Sequence, residues 1–248
     1  MQKLTDDLRR LGISCGNVVI VHSSLSALGY VEGGADTVID ALMTVLTEEG
    51  TLLFPALSFS SVGEQNPYFD VRTTPVCVGL IPETFRKRSG TVRSLHPTHS
   101  VSAWGKYAKE LTCDHQLDHT PVGAHSPYHK LPQYNGKILM LGCSVKSMTF
   151  MHGVEEVANA PYVLTKETFR YTVTDENGNR FVTDNYRHNF HPQGLIQRYD
   201  RVLDVMSPAD YTVGKVLNGT AYLFDSAAMQ KSAIKIMQKD PYYFVDKK

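Results

Sequence analysis

Cysteine is scarce and scattered in this 248-residue chain: Cys15, Cys77, Cys113 and Cys143 form no C-x-x-C pair. That spacing excludes a clustered structural zinc site and a dense disulfide framework, and it leaves free thiols as the expectation. Neither sign of charge is in excess, with 25 Lys+Arg against 25 Asp+Glu, so the broad cationic face of a nucleic-acid binder is not expected. No apolar run approaches the ~18 residues that suggest a membrane span. The opening segment, Met1–Ile13, reads as the start of an amphipathic helix and lacks the apolar centre of a signal peptide. These absences point to a cytoplasmic protein with neither nucleic acid nor membrane as partner. What is present is a globular composition, 42% hydrophobic and 10% aromatic, which excludes disorder.

The pattern along the chain opens as a βαβ unit. Leu4, Leu8 and Leu11 share a face of a short helix, and residues 17–22, ending in Val21-His22, form an apolar run of buried-strand length. After Gly33-Gly34, the positions Val38, Ile39, Leu42, Val45 and Leu46 repeat with helical period, and Thr51–Phe54 predicts the next strand. Two long loops follow, over 56–78 and 115–132, the second carrying His115, His119, His125 and His129. Long loops in compact proteins are usually functional. Residues 137–141 predict a third buried strand, followed by a helix over about 147–158. Beyond Tyr162 the period changes to two, and Asn177-Gly178 between two such runs signals a hairpin. A helix is predicted over 195–203, short strands within 213–224 and an amphipathic helix over 226–239. The fold class that follows is α/β, a mixed central sheet flanked by helices, with residues 1–248 in one domain and an antiparallel hairpin excursion at about 162–190.

Few residues carry chemistry by spacing alone. His152 and Glu155, three apart on the helix after the third strand, share a face, and a histidine beside a carboxylate is the minimum for general-base catalysis. A solvated helix-start histidine accounts for the same spacing. Glu156 points about 100° away from its neighbour. His22, Ser23, Ser24 and Leu25 end the first strand, where free N–H groups suit an anionic or amide-rich ligand or simply make a turn. The run Arg93–Ser100, preceded by Arg86, Lys87 and Arg88, is dense in donors that suit a phosphate. The four loop histidines lack any helical ligand pair, so no metal is expected. Cys143 has no base beside it in sequence.

Taken in order, several stretches together are specific. They are VHSSLSALG (21–29), GGADTVIDAL (33–42), GTLLFPALS (50–58), FDVRTTPVCVGLIPETFR (69–86), RSLHPTHSVSAWG (93–105), PVGAHSPYHKL (121–131), GKILMLG (136–142) and MTFMHGVEE (148–156). Collinear over about 15–190, they resemble the aminoglycoside 3-N-acetyltransferase family, which is unrelated in fold to the GNAT enzymes. The resemblance implies direct acetyl transfer from acetyl-CoA to an amine, of the antibiotic-resistance type. It implies His152 as base, Glu155 as the acid that orients it, and Thr149 or backbone N–H groups as donors to the oxyanion. Acetyl-CoA would lie along His22, Ser23, Ser24 and Leu25, with Arg93, Ser94, Ser100 and Val101. Asp70 matches the family's substrate-contacting acid, with Glu156 and Asp184 as further acids for a polycationic acceptor.

Two other readings stay open at this level. One is a hydrolase with Cys143 or a loop serine as nucleophile. The other is the same scaffold acting on a different amine, or binding CoA without catalysis.

Overall fold

The computed structural model describes residues 1–248. Helix α1 (Gln2–Leu11) buries Leu4, Leu8 and Leu11 and stops at Gly12, whose left-handed backbone returns its N–H to Arg9. Strand β1 (Val18–Ser23), helix α2 (Gly34–Leu46) and strand β2 (Thr51–Pro55) complete the βαβ unit. Then come β3 (Tyr68–Asp70), α3 (Leu80–Phe85), β4 (Val92–Arg93), β5 (Val101–Gly105), α4 (Ala108–Thr112) and α5 (Pro127–Lys130). Strand β6 (Lys137–Leu141) leads into α6 (Phe150–Val157). The remainder holds β7 (Phe169–Thr174), β8 (Arg180–Asn185), β9 (Leu195–Gln197), α7 (Val202–Val205), β10 (Tyr211–Val216), β11 (Gly219–Asp225), α8 (Ser226–Met237) and β12 (Val245–Lys247).

Seven strands form the central sheet in the order β10-β11-β6-β1-β2-β5-β4. Its middle, β6-β1-β2, is parallel, and the flanking pairs are antiparallel, so the sheet is mixed and lies between helices as expected. Strand alternation divides the core in two. Val18, Ile20, Ile138 and Met140 face a cluster with α6 and α8, whereas Val19, Val21, Leu139 and Leu141 face α1 and α2. Both faces are covered, which is why the central strands read as unbroken apolar runs. Where β5 ends against β2, a Cβ on Gly105 would stand 2.2 Å from the Gly50 carbonyl oxygen, and its φ of +102° is open only to glycine. No helix is long and apolar enough to cross a membrane.

Three expectations need correction. The 195–203 segment is not a helix: β9 pairs with β12, and only a single turn at 199–201 and the short α7 are helical. Leu195, Tyr199 and Val202 are all buried, so the spacing looks helical, but Arg198 and Arg201 both pair with Asp246 and hold this segment against the C-terminal strand. The predicted hairpin is present as β7–β8, but β3, from the first long loop, adds to it in parallel to make a three-stranded sheet. The second long loop is partly ordered as α5 and a turn at 115–117, with His115 fully buried rather than lining a loop.

Candidate active site

Strand β6 ends at the rim of the sheet and a short turn carries the chain to Thr149, the residue preceding α6. Helical spacing then turns His152 and Glu155 toward the same side, with His152 Nδ1 3.4 Å from Glu155 Oε2. The buried carboxylate is held from both ends. Tyr162 donates its hydroxyl to Oε1 at 2.9 Å and Tyr199 donates to Oε2 at 2.7 Å. The Tyr199 oxygen also lies 2.8 Å from His152 Nδ1. Its single proton goes to the carboxylate, so this oxygen accepts from Nδ1–H, and the lone pair of His152 is left on Nε2. Burial first, and the Glu155 charge second, push both tyrosine hydroxyls up, which keeps them as donors.

Glu156, the next residue, serves a separate histidine. It accepts from the Val122 N–H at 2.9 Å and from His188 Nε2 at 3.0 Å. The His188 ring packs against His152 with centroids 4.2 Å apart and the planes tilted by 34°, and His99 meets His188 edge-on at 4.8 Å. Burial raises Glu156 to about 7, while burial and then the His152 charge hold His188 well below the usual histidine range. A neutral imidazole ring therefore lies against the candidate base. A pocket of about 300 Å³ opens over these rings, lined among others by Phe59, His99, His152, Arg187, Phe190 and Gln197. Arg187 lies 4.0 Å over the Phe169 ring and donates to the Tyr171 hydroxyl. No carboxylate lines this pocket.

The end of β1 borders two further openings, which share Ser23 in their linings. A groove of about 530 Å³ runs past Ser23, Ser24, Leu25, Tyr30 and Leu80. Ser23 also lines a slot of about 90 Å³, with His22, Pro55, Cys143, Ser147 and Thr149. Thr149 and His152, one helical turn apart, thus border the slot and the pocket respectively.

The other residues named from sequence are placed differently. Arg93 turns inward: its guanidinium donates to the carbonyls of Ala56, Val71 and Thr74 and to Ser100 Oγ, and it lies 4.9 Å over the Phe69 ring. Ser100 Oγ donates in turn to Ala56, and Ser94 Oγ accepts from the Val101 N–H and pairs with His115. Ser94, Ser100 and Val101 are all buried, so this cluster braces the loops behind the site and none of it borders the groove or slot. Asp70 caps its own turn, accepting from the N–H groups of Arg72 and Thr73, and stays part-exposed. Asp184 is exposed and paired with Arg170 on the β7–β8 hairpin. His125 pairs with Asp118, His119 contacts the Asp184 carbonyl, and His115 stacks under His96 at 4.9 Å, so the loop histidines disperse. The Cys143 thiol is pushed up to about 11 by burial. Tyr162, Tyr199, Arg187 and His188 were not singled out by sequence; only His99 lay within a quoted motif.

The fold is that of a mixed α/β protein whose candidate base, His152, borders one pocket while Thr149, a helical turn away, borders a separate slot. The chain belongs to the aminoglycoside 3-N-acetyltransferase family, whose profile matches residues 20–238. Aminoglycoside N(3)-acetyltransferase VII of Streptomyces paromomycinus is 37% identical over 180 residues, which is 64% of this chain and 61% of that relative. Among solved structures, aminoglycoside acetyltransferase AAC(3)-Xa superposes with a TM-score of 0.83 at 28% identity, covering 96% of this chain and 92% of that one. AAC-IIIb, solved with CoASH, superposes at 0.82 with 25% identity and 95% coverage of both.

Proposed function

We propose that this protein transfers an acetyl group from acetyl-CoA directly to an amine of an aminoglycoside, the 3-amine by family, and so protects against the antibiotic. The observation that carries the reading is the His152–Tyr199–Glu155 arrangement. It fixes, through Nδ1, the ring of a histidine that lines the pocket, so that in the neutral ring the lone pair is on Nε2. The acceptor nitrogen attacks the thioester carbonyl carbon while its proton passes to His152 Nε2; collapse of the tetrahedral adduct expels CoA thiolate, which takes that proton back. General-base help of this kind contributes about 10²–10⁴ in rate. The imidazolium formed in between is stabilised by Glu155 through Tyr199 and by the neutral His188 ring packed against it.

The groove at Ser23–Leu25 suits the pantetheine arm, whose amides would meet the serine hydroxyls that line it. A pocket without a carboxylate favours the neutral amine, the form that attacks, over its ammonium. For the acceptor's other ammonium groups the acid we assign, as the family resemblance implies, is Asp70, which is part-exposed. Arg93, Ser94, Ser100 and Val101 act on the donor side by bracing the loops around it. The test is free-thiol release from acetyl-CoA against an aminoglycoside panel, with His152→Ala as control. Release that depends on the aminoglycoside and disappears in the variant, while acetyl-CoA binding persists, is the expected result. Undiminished turnover by His152→Ala overturns it.

A further inference from the structure

The alternation of β1 places Val18 and Ile20 in the core that also holds Met148, Phe150 and Met151, the residues around the start of α6. His22 is the next residue in that row, so it points toward the same end of α6 from the opposite wall of the slot. It is only 7% exposed, and its Nε2 is buried without any hydrogen-bond partner. Ser23 Oγ, on the same slot, is likewise buried and unpartnered. Buried polar atoms in native proteins nearly always have partners, so two such atoms on adjacent residues that line one narrow slot point to a ligand atom that completes them. The ring is neutral: burial and then the His152 charge lower it to about 3. A neutral imidazole donates one N–H without surrendering a proton.

We infer that His22 Nε2–H, seconded by Ser23 Oγ–H, hydrogen-bonds the carbonyl oxygen of the acetyl thioester and stabilises the oxyanion that develops on it. This inference rests on the transferase reading and deepens it. As the acceptor nitrogen bonds to the carbonyl carbon, the C=O π pair moves onto oxygen and the two donors hold it. When the pair returns, the C–S bond breaks and the sulfur leaves with its electrons. His152 handles the proton throughout, and His22 keeps its own.

The test reads the donor directly. The infrared stretch of [1-¹³C]acetyl-CoA bound without acceptor is recorded for the parent protein, His22→Leu, His22→Gln and Ser23→Ala. A carbonyl stretch moved to lower frequency on binding, lost in His22→Leu and partly restored in His22→Gln, is expected, with Ser23→Ala intermediate. With acceptor, kcat of His22→Leu falls about 10²–10³-fold, while its affinity for acetyl-CoA falls by about tenfold or less, the share of the hydrogen bond already made before reaction. Weakened acetyl-CoA binding with undiminished kcat at saturation makes His22 a binding residue only and overturns the inference. If His22→Leu does not fold, the parent spectrum decides: a bound carbonyl at its free frequency overturns the assignment. A shifted carbonyl in a protein that acetylates no amine leaves the donor assignment standing and removes the transferase reading instead.

Discussion

Replacing Glu155 by glutamine isolates the role of the buried carboxylate, because the volume is kept and only charge and one acceptor change. Glu155 is fully buried and accepts from Tyr162 at 2.9 Å and Tyr199 at 2.7 Å. Glutamine offers one oxygen and one NH₂ where two oxygens stood. One tyrosine must then accept instead of donate, and a Tyr199 that accepts from the amide turns its proton toward His152 Nδ1. The imidazole proton moves to Nε2, the lone pair faces away from the substrate, and the base is lost. Hydrogen bonds to a charged group contribute about 1.5–3 kcal/mol each against about 0.5–1.5 for neutral ones, but removing a buried charge also removes its desolvation cost. The net loss of stability is therefore small, about 1–2 kcal/mol, or a fall in Tm of about 2–8 °C for a chain of this size. The loss of kcat is large, about 10²–10⁴-fold, the whole contribution of the base. The assay is thiol release at saturating acetyl-CoA beside a thermal unfolding curve. A folded Glu155→Gln variant whose kcat stays within tenfold, about 1.4 kcal/mol of barrier, refutes the arrangement.

Two further outcomes test the surroundings. Cys143→Ala should leave thiol release nearly unchanged, since burial raises that thiol to about 11 and no base pairs with it; inactivity of the variant with intact folding would favour a covalent route. Glu156 is raised from 4.5 to about 7 by burial, so the folded chain keeps a proton that the unfolded chain has lost between those values. Its stabilising contribution is complete below about 4.5 and is lost as pH rises through about 7, a change of about 3 kcal/mol at most. Glu156→Gln should therefore gain stability relative to the parent between about pH 5 and 8, and a flat difference in Tm across that range contradicts the reading.

Periodicity and motif order made the sheet and the base readable. The apolar runs at 18–21, 52–54 and 138–141 are buried strands because both sheet faces are covered, and His152 and Glu155 meet because three residues is nearly a helical turn. Local patterning could not say what completes that pair. Tyr199 lies 47 residues from His152 in sequence, within a stretch whose buried spacing imitates a helix, and it reaches the site only because β12 captures β9. His188 and Arg187 arrive from beyond the hairpin in the same way, and β3 joins that hairpin by parallel pairing, which no short-range turn announces. Arg93 shows the converse: a donor-rich stretch suits a phosphate until folding surrounds its guanidinium with carbonyls. Sequence determined which residues share a strand face or a helix turn, because those periods are properties of the backbone. Tertiary structure alone decided which groups become each other's partners or lack one, because burial and long-range pairing set what water can reach.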